Sequence, residues 1–187
     1  MKPARVVLIG PECTGKTWLA GELGRHYGVP WAPEHAREYV DRHGAALTYA
    51  DVDPIGRGQK AGEDAAIREA TAAGLALVVL DTDLVSTMVY TRHYYGACPP
   101  WIEREAVRRL GELYLLHHVD VEWVADGRQR EQLERREELF ARFRATLAGL
   151  GARVADVLGP WEERRRLGVG AVDRLLGGEA SLGRRTG

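Results

Sequence analysis

The sequence predicts an α/β fold: a five-stranded parallel sheet with helices on both faces. Three observations point to it. Residues 5–9 are a short, largely apolar run that leads into a glycine-punctuated loop and then an amphipathic helix. Residues 75–80 are apolar without interruption, as suits a central strand covered on both faces. Strand-like and helix-like segments then alternate along the chain, which implies right-handed crossovers between parallel strands.

Each element follows in order. Residues 5–9 are the first strand and residues 10–15 the loop. Residues 16–27 carry Leu19, Ala20, Leu23 and Tyr27 at helical spacing. Residues 29–32 read as a second strand, stopped by Gly28 and Pro33. Helices are expected over 34–43 and about 55–73, the latter ended by Gly74. The third strand is 75–80, followed by Asp81-Thr82-Asp83. Helices over 85–95 and 100–110 lead to a fourth strand at 113–119. A long helix over 131–150 has a stripe of Phe140, Phe143, Leu147 and Leu150. Residues 153–158 are the fifth strand and 161–176 the last helix. One domain over 1–178 is expected, with 179–187 a frayed tail.

Composition narrows the function. A chain of 187 residues suits one domain with a sizeable core. Its formal net charge of −1 provides no field that draws it to nucleic acid or a membrane. No signal-peptide core opens the chain, and no apolar stretch approaches the roughly 18 residues of a membrane helix. Cys13 and Cys98 form no ligand cluster, and the six histidines show no metal spacing. The expectation is a cytoplasmic protein in a reducing compartment.

The loop carries the chemistry. Gly10-Pro11-Glu12-Cys13-Thr14-Gly15-Lys16-Thr17 matches G-x-x-x-x-G-K-[ST] in full. Glycines let the backbone curl so that successive N–H groups face phosphates, and the following helix adds its positive end. Lys16 is placed for the β and γ phosphates, and the Thr17 hydroxyl for magnesium. Asp81, at the end of a buried strand, is the second magnesium ligand or a helix cap. ATP and Mg²⁺ are the cofactors this pattern implies.

The rest of the pattern favours transfer over mechanical work, since 187 residues leave no room for the additional lids and oligomerisation domains that mechanical ATPases usually carry. Arg128, Arg130, Arg135 and Arg136 lie where small-molecule kinases carry a mobile lid; Arg128 and Arg130 are the expected pair. Glu34 follows the second strand, where ligands of open α/β sheets gather, and is a candidate base for an acceptor hydroxyl. Asp83 stands at a strand end too and competes for that role. Arg37 would pair with Glu34 or touch a phosphate. Trp31 and Trp123, at strand ends, are candidate pocket walls. His117-His118 reads as structural.

Taken together, these residues resemble the ribosylnicotinamide kinase domain of NadR and its stand-alone relatives, over about residues 5–175. The resemblance rests on the loop motif, Glu34-His35-Ala36-Arg37-Glu38-Tyr39, Gly58-Gln59, Asp81-Thr82-Asp83 with Thr87, Leu113-Tyr114-Leu115-Leu116, and Trp123-Val124-Ala125-Asp126-Gly127. It implies a P-loop NTPase three-layer fold, like that of nucleoside and nucleotide kinases, with strand order 2-3-1-4-5. The implied reaction is phosphorylation of nicotinamide riboside by ATP, in NAD salvage. Gln59 joins the substrate side, and residues 160–166, Trp161 among them, edge the adenine pocket. The sequence departs from the family at Pro33, where a tryptophan is expected, and at residues 60–66, which have no aromatic to face the cationic pyridinium. Gln129 replaces the first lid arginine, and Cys13 replaces a serine. A kinase of another nucleoside or small alcohol, and a nucleotide-binding switch, are the alternative functions. A homo-oligomer is left open.

Overall fold

β1 (Ala4–Ile9) is the middle strand of a five-stranded sheet in which every pairing is parallel. The computed structural model describes residues 2–121 and 135–182. The remaining strands are β2 (Trp31–Ala32), β3 (Leu77–Asp81), β4 (Leu113–His117) and β5 (Val154–Val157), and the order is β2-β3-β1-β4-β5, as expected. Leu8 of β1 lies level with Asp81 of β3 and Leu115 of β4, so the carboxyl ends of the three central strands finish together. In such sheets that edge is where ligands bind.

Strand alternation sorts the core into two layers. Val6 and Leu8 turn to one face, against Leu19 and Leu23 of α1 (Lys16–Tyr27) and Val172 and Leu175 of α7 (Trp161–Leu182). Val7 and Ile9 turn to the other. There they meet residues of α3 (Val52–Ala72), α4 (Leu84–Tyr95), α5 (Pro100–Arg108) and α6 (Arg136–Gly149). The short α2 (His35–His43) packs on α3. Leu8, Leu19, Leu23 and Ile9 are fully buried. Each such side chain contributes about 1.5–3 kcal/mol relative to exposure.

Several boundaries differ from the sequence reading. β2 has two residues rather than four. β3 begins at Leu77, because the Leu75 N–H bonds back to Ala70 O and caps α3 after the left-handed Gly74. α3 begins at Val52, entered through a 3₁₀ turn at Tyr49–Asp51 whose capping box joins Thr48 and Asp51. α7 runs to Leu182, past the expected end at 176. No helix among the described residues is long and apolar enough to cross a membrane.

Candidate functional site

The loop between β1 and α1 turns through positive φ at Gly10 (136°), Cys13 (55°) and Gly15 (81°). Gly10 has no alternative: a Cβ there would lie 2.7 Å from the carbonyl oxygen of His117. The loop is braced from behind. Thr14 O accepts from Nδ1 of His117 at 2.9 Å and from Arg164 at 3.2 Å. A trans peptide directs its N–H opposite to its carbonyl, so this bracing turns the Gly15 N–H away from His117 and Arg164. Burial pushes the His117 pKa down to about 3, so the ring is neutral and Nδ1 carries the donated hydrogen. α1 opens with no side-chain cap and no acidic residue in its first turn, leaving its positive end unanswered. Lys16 Nζ donates to Gly10 O (3.0 Å) and Pro11 O (2.6 Å).

Asp81 ends β3 beside this loop. Its Oδ2 accepts from Thr17 Oγ1 at 2.6 Å, while Oδ1 is buried without a partner. Burial, and next the negative charge of Glu34, raise its pKa to about 6. An orphaned carboxylate oxygen beside a hydroxyl is an oxygen donor set that fits magnesium. Among the described residues, no cluster of three or more His, Cys, Asp or Glu offers a metal site of another kind. Thr82 follows at φ 70°, an uncommon conformation for a β-branched residue. It is held by Leu8 O and by Gln59 Nε2, which donates to Thr82 O at 3.2 Å.

The two candidate bases differ sharply in their surroundings. Asp83 is buried as the N-cap of α4. Its Oδ1 accepts from the N–H groups of Val85 (3.0 Å) and Ser86 (3.3 Å), and its Oδ2 from the Tyr114 hydroxyl (2.7 Å). Desolvation raises its pKa to about 6. Glu34 is the N-cap of α2, yet its side chain does not cap the helix. It faces a cavity shared with Gln59, Thr82, Ser86, Thr87, Tyr90 and Tyr94. The cavity holds about 490 Å³ of space not filled by protein, some of it open to solvent. Gln59 is a brace: its Oε1 accepts from the His35 N–H at 3.0 Å, fixing the residue next to Glu34.

The other expected residues divide. Trp161 lies over the loop, its ring 2.4 Å from where a Cβ on Gly15 would stand, and makes an edge contact with Trp18 at 5.0 Å. Glu12 and Cys13 are half-buried on the loop. Arg37 is exposed, near enough to Asp81 for its charge to draw that carboxyl's pKa down. Trp31 is placed elsewhere: it packs against Gly24 of α1 in the other core layer, because alternation in β2 turns Ala32, not Trp31, toward α3 and α4. Trp123, Arg128 and Arg130 lie outside the described residues. The sequence reading missed the α4 tyrosines Tyr90 and Tyr94, whose rings stack at 6.1 Å beside the cavity. Their i, i+4 spacing was the available signal. Arg136, named among the four lid arginines but not in the expected pair, is buried and donates to Cys13 O at 3.4 Å.

Comparison with known proteins bears on the family and the fold. The chain is 30% identical over 126 residues to the trifunctional NAD biosynthesis/regulator protein NadR of Escherichia coli K12. That match covers 65% of this chain and 30% of the relative, so the chain spans under a third of that protein. The structure superposes on NadR protein in complex with NAD and AMP-PNP at TM-score 0.77 and 23% identity, covering 94% of this chain and 50% of the other. For NadR protein in complex with NR the values are 0.72 and 25%, covering 92% and 50%. A deoxyadenosine kinase from M. mycoides shares the fold at TM-score 0.63 and 8% identity, over 91% of this chain and 99% of that one. The fold is thus the P-loop fold of nucleoside and nucleotide kinases. Residues 5–164 match the family described as AAA_28, an AAA domain, and the chain belongs to that family as a relative of the NadR kinase domain.

Proposed function

We propose that this chain is a kinase that transfers the γ-phosphoryl group of MgATP to the 5′-hydroxyl of nicotinamide riboside. One observation carries the reading: Glu34 lines the cavity and is close enough to Asp81 to raise its pKa, and among the described residues no donor or cation holds its carboxylate. An acceptor hydroxyl in the cavity would meet that carboxylate beside the phosphate cradle. Phosphoryl transfer runs through a loose transition state, so the catalyst mainly positions groups and answers charge. Lys16 and the N–H groups at the start of α1 answer the charge on the phosphates. Thr17 and Asp81 would hold magnesium, which neutralises charge on the β and γ oxygens when bound. Glu34 accepts the hydroxyl proton as the new P–O bond forms.

The acceptor's identity is supported by two features. Tyr90, Tyr94 and Tyr95 supply aromatic rings to the cavity, where residues 60–66 supply none, and Glu34 sets a carboxylate near a cationic ring. A relative of the same fold binds NR. The test is ADP release from MgATP with a panel of nucleosides and small alcohols. Nicotinamide riboside should give the highest kcat/KM. A higher value with another nucleoside would overturn the substrate assignment. Tight nucleotide binding without turnover on any acceptor would make the chain a switch.

A further inference from the structure

Three arginines are buried among the described residues, Arg5, Arg136 and Arg164. A guanidinium keeps its charge on burial, so it needs an anion to answer it. Arg5 has Glu112 at 2.9 Å, and Arg164 has Asp120. Arg136, the first residue of α6, is 3% exposed and has no carboxylate partner among the described residues. Among the described residues its hydrogen bond is the 3.4 Å contact from Nη2 to Cys13 O, and its buried Nε has no partner there. A carbonyl dipole at that distance does not offset the desolvation of a full charge. Yet the contact fixes where the charge sits: on the loop that Lys16 and the α1 N-terminus already make positive. Three positive features converge on one loop.

We propose that Arg136 is a phosphate ligand, whose guanidinium engages the polyphosphate of the nucleotide held by residues 10–17. Its buried Nε–H is left to donate to a phosphate oxygen, while Nη2 holds the guanidinium to the loop. This rests on the nucleotide reading of the loop and not on the identity of the acceptor. It also gives the phosphate-contacting role to a residue other than Arg128 and Arg130.

The test needs no acceptor. Binding of magnesium tripolyphosphate, which has no base or ribose, is measured by calorimetry on the parent, Arg136→Met and Arg136→Lys. Removing a charge-assisted contact should weaken binding by about tenfold to a hundredfold in Arg136→Met, with Arg136→Lys in between. Without ligand, Arg136→Met should melt at the parent temperature or above it, because it removes an unanswered buried charge. A scaffolding arginine would behave in the opposite way: a lower melting temperature with unchanged affinity for tripolyphosphate, which overturns the proposal. Should Arg136→Met not fold, Arg136→Gln keeps the size and polarity without the charge, and parental affinity there overturns it equally. A parent chain that binds neither tripolyphosphate nor MgATP would instead overturn the nucleotide reading of the loop.

Discussion

Glu34 and Asp83 are both acidic residues at helix N-caps near the same strand ends, and only their hydrogen bonds separate them. Asp83 gives its oxygens to two backbone N–H groups and a phenol, which suits a structural cap. Glu34→Gln should therefore lower kcat by roughly 10² to 10⁴-fold with ATP affinity unchanged. Asp83→Asn should instead lower stability by about 1 kcal/mol or more, read from urea unfolding. Single-turnover rates on both variants decide the matter: a parental rate in Glu34→Gln with a crippled Asp83→Asn would reverse the roles. The sequence left the two equal because a capping and a catalytic carboxylate are the same residue type in the same place. Arg136 was ranked behind Arg128 and Arg130 for a similar reason, since burial without a counter-ion is not written in any local pattern. The loop motif was legible because its chemistry restricts residue type at nearly every position. Glu63, behind Gln59, makes a further residue-scale test. Burial and next the charge of Asp83 push its pKa up to about 8 from the ordinary 4.5, despite Arg109 at 3.3 Å. Between those values the folded chain holds a proton that the unfolded chain has released, so this residue's contribution to stability falls as pH rises from about 4.5 through about 8. Glu63→Gln should flatten that decline and melt above the parent at pH 9; an equally steep profile would refute the assignment.

At the scale of elements, the contact between α2 and α3 decides where Glu34 stands. Gly58 makes it possible: a Cβ there would come within 2.0 Å of His35 Nε2. Gln59, its neighbour, then ties the His35 N–H to Thr82 O. Gly58→Ala should displace the start of α2, raising the acceptor KM severalfold and leaving the ATP KM unchanged. Steady-state kinetics with each substrate varied in turn would show it; equal changes in both constants would count against the brace. Strand β2 illustrates what a short element hides. With two residues, it has no alternation to count, so the direction of Trp31 could not be read before its pairing with Val79 was known. The turn into α3 was more legible than the reading made it, since Thr48 and Asp51 have capping-box spacing.

For the whole molecule, strand order was legible from the loop motif and the family resemblance together, while the layers needed only alternation. The placement of β1 has a consequence for how the chain acquires its binding site. β1 precedes the other strands in sequence and lies in the middle of the sheet in space; its partners are β3, starting at Leu77, and β4, starting at Leu113. The loop it carries is braced later still, by His117 and Arg164. Contacts separated this far in sequence close late, because the entropy of the intervening loop must be lost first. During synthesis, residues 10–17 therefore leave the ribosome long before anything can shape them. The cradle is made before the strands and side chains that complete it, so nucleotide binding would report that the entire sheet, through the start of α7, has assembled.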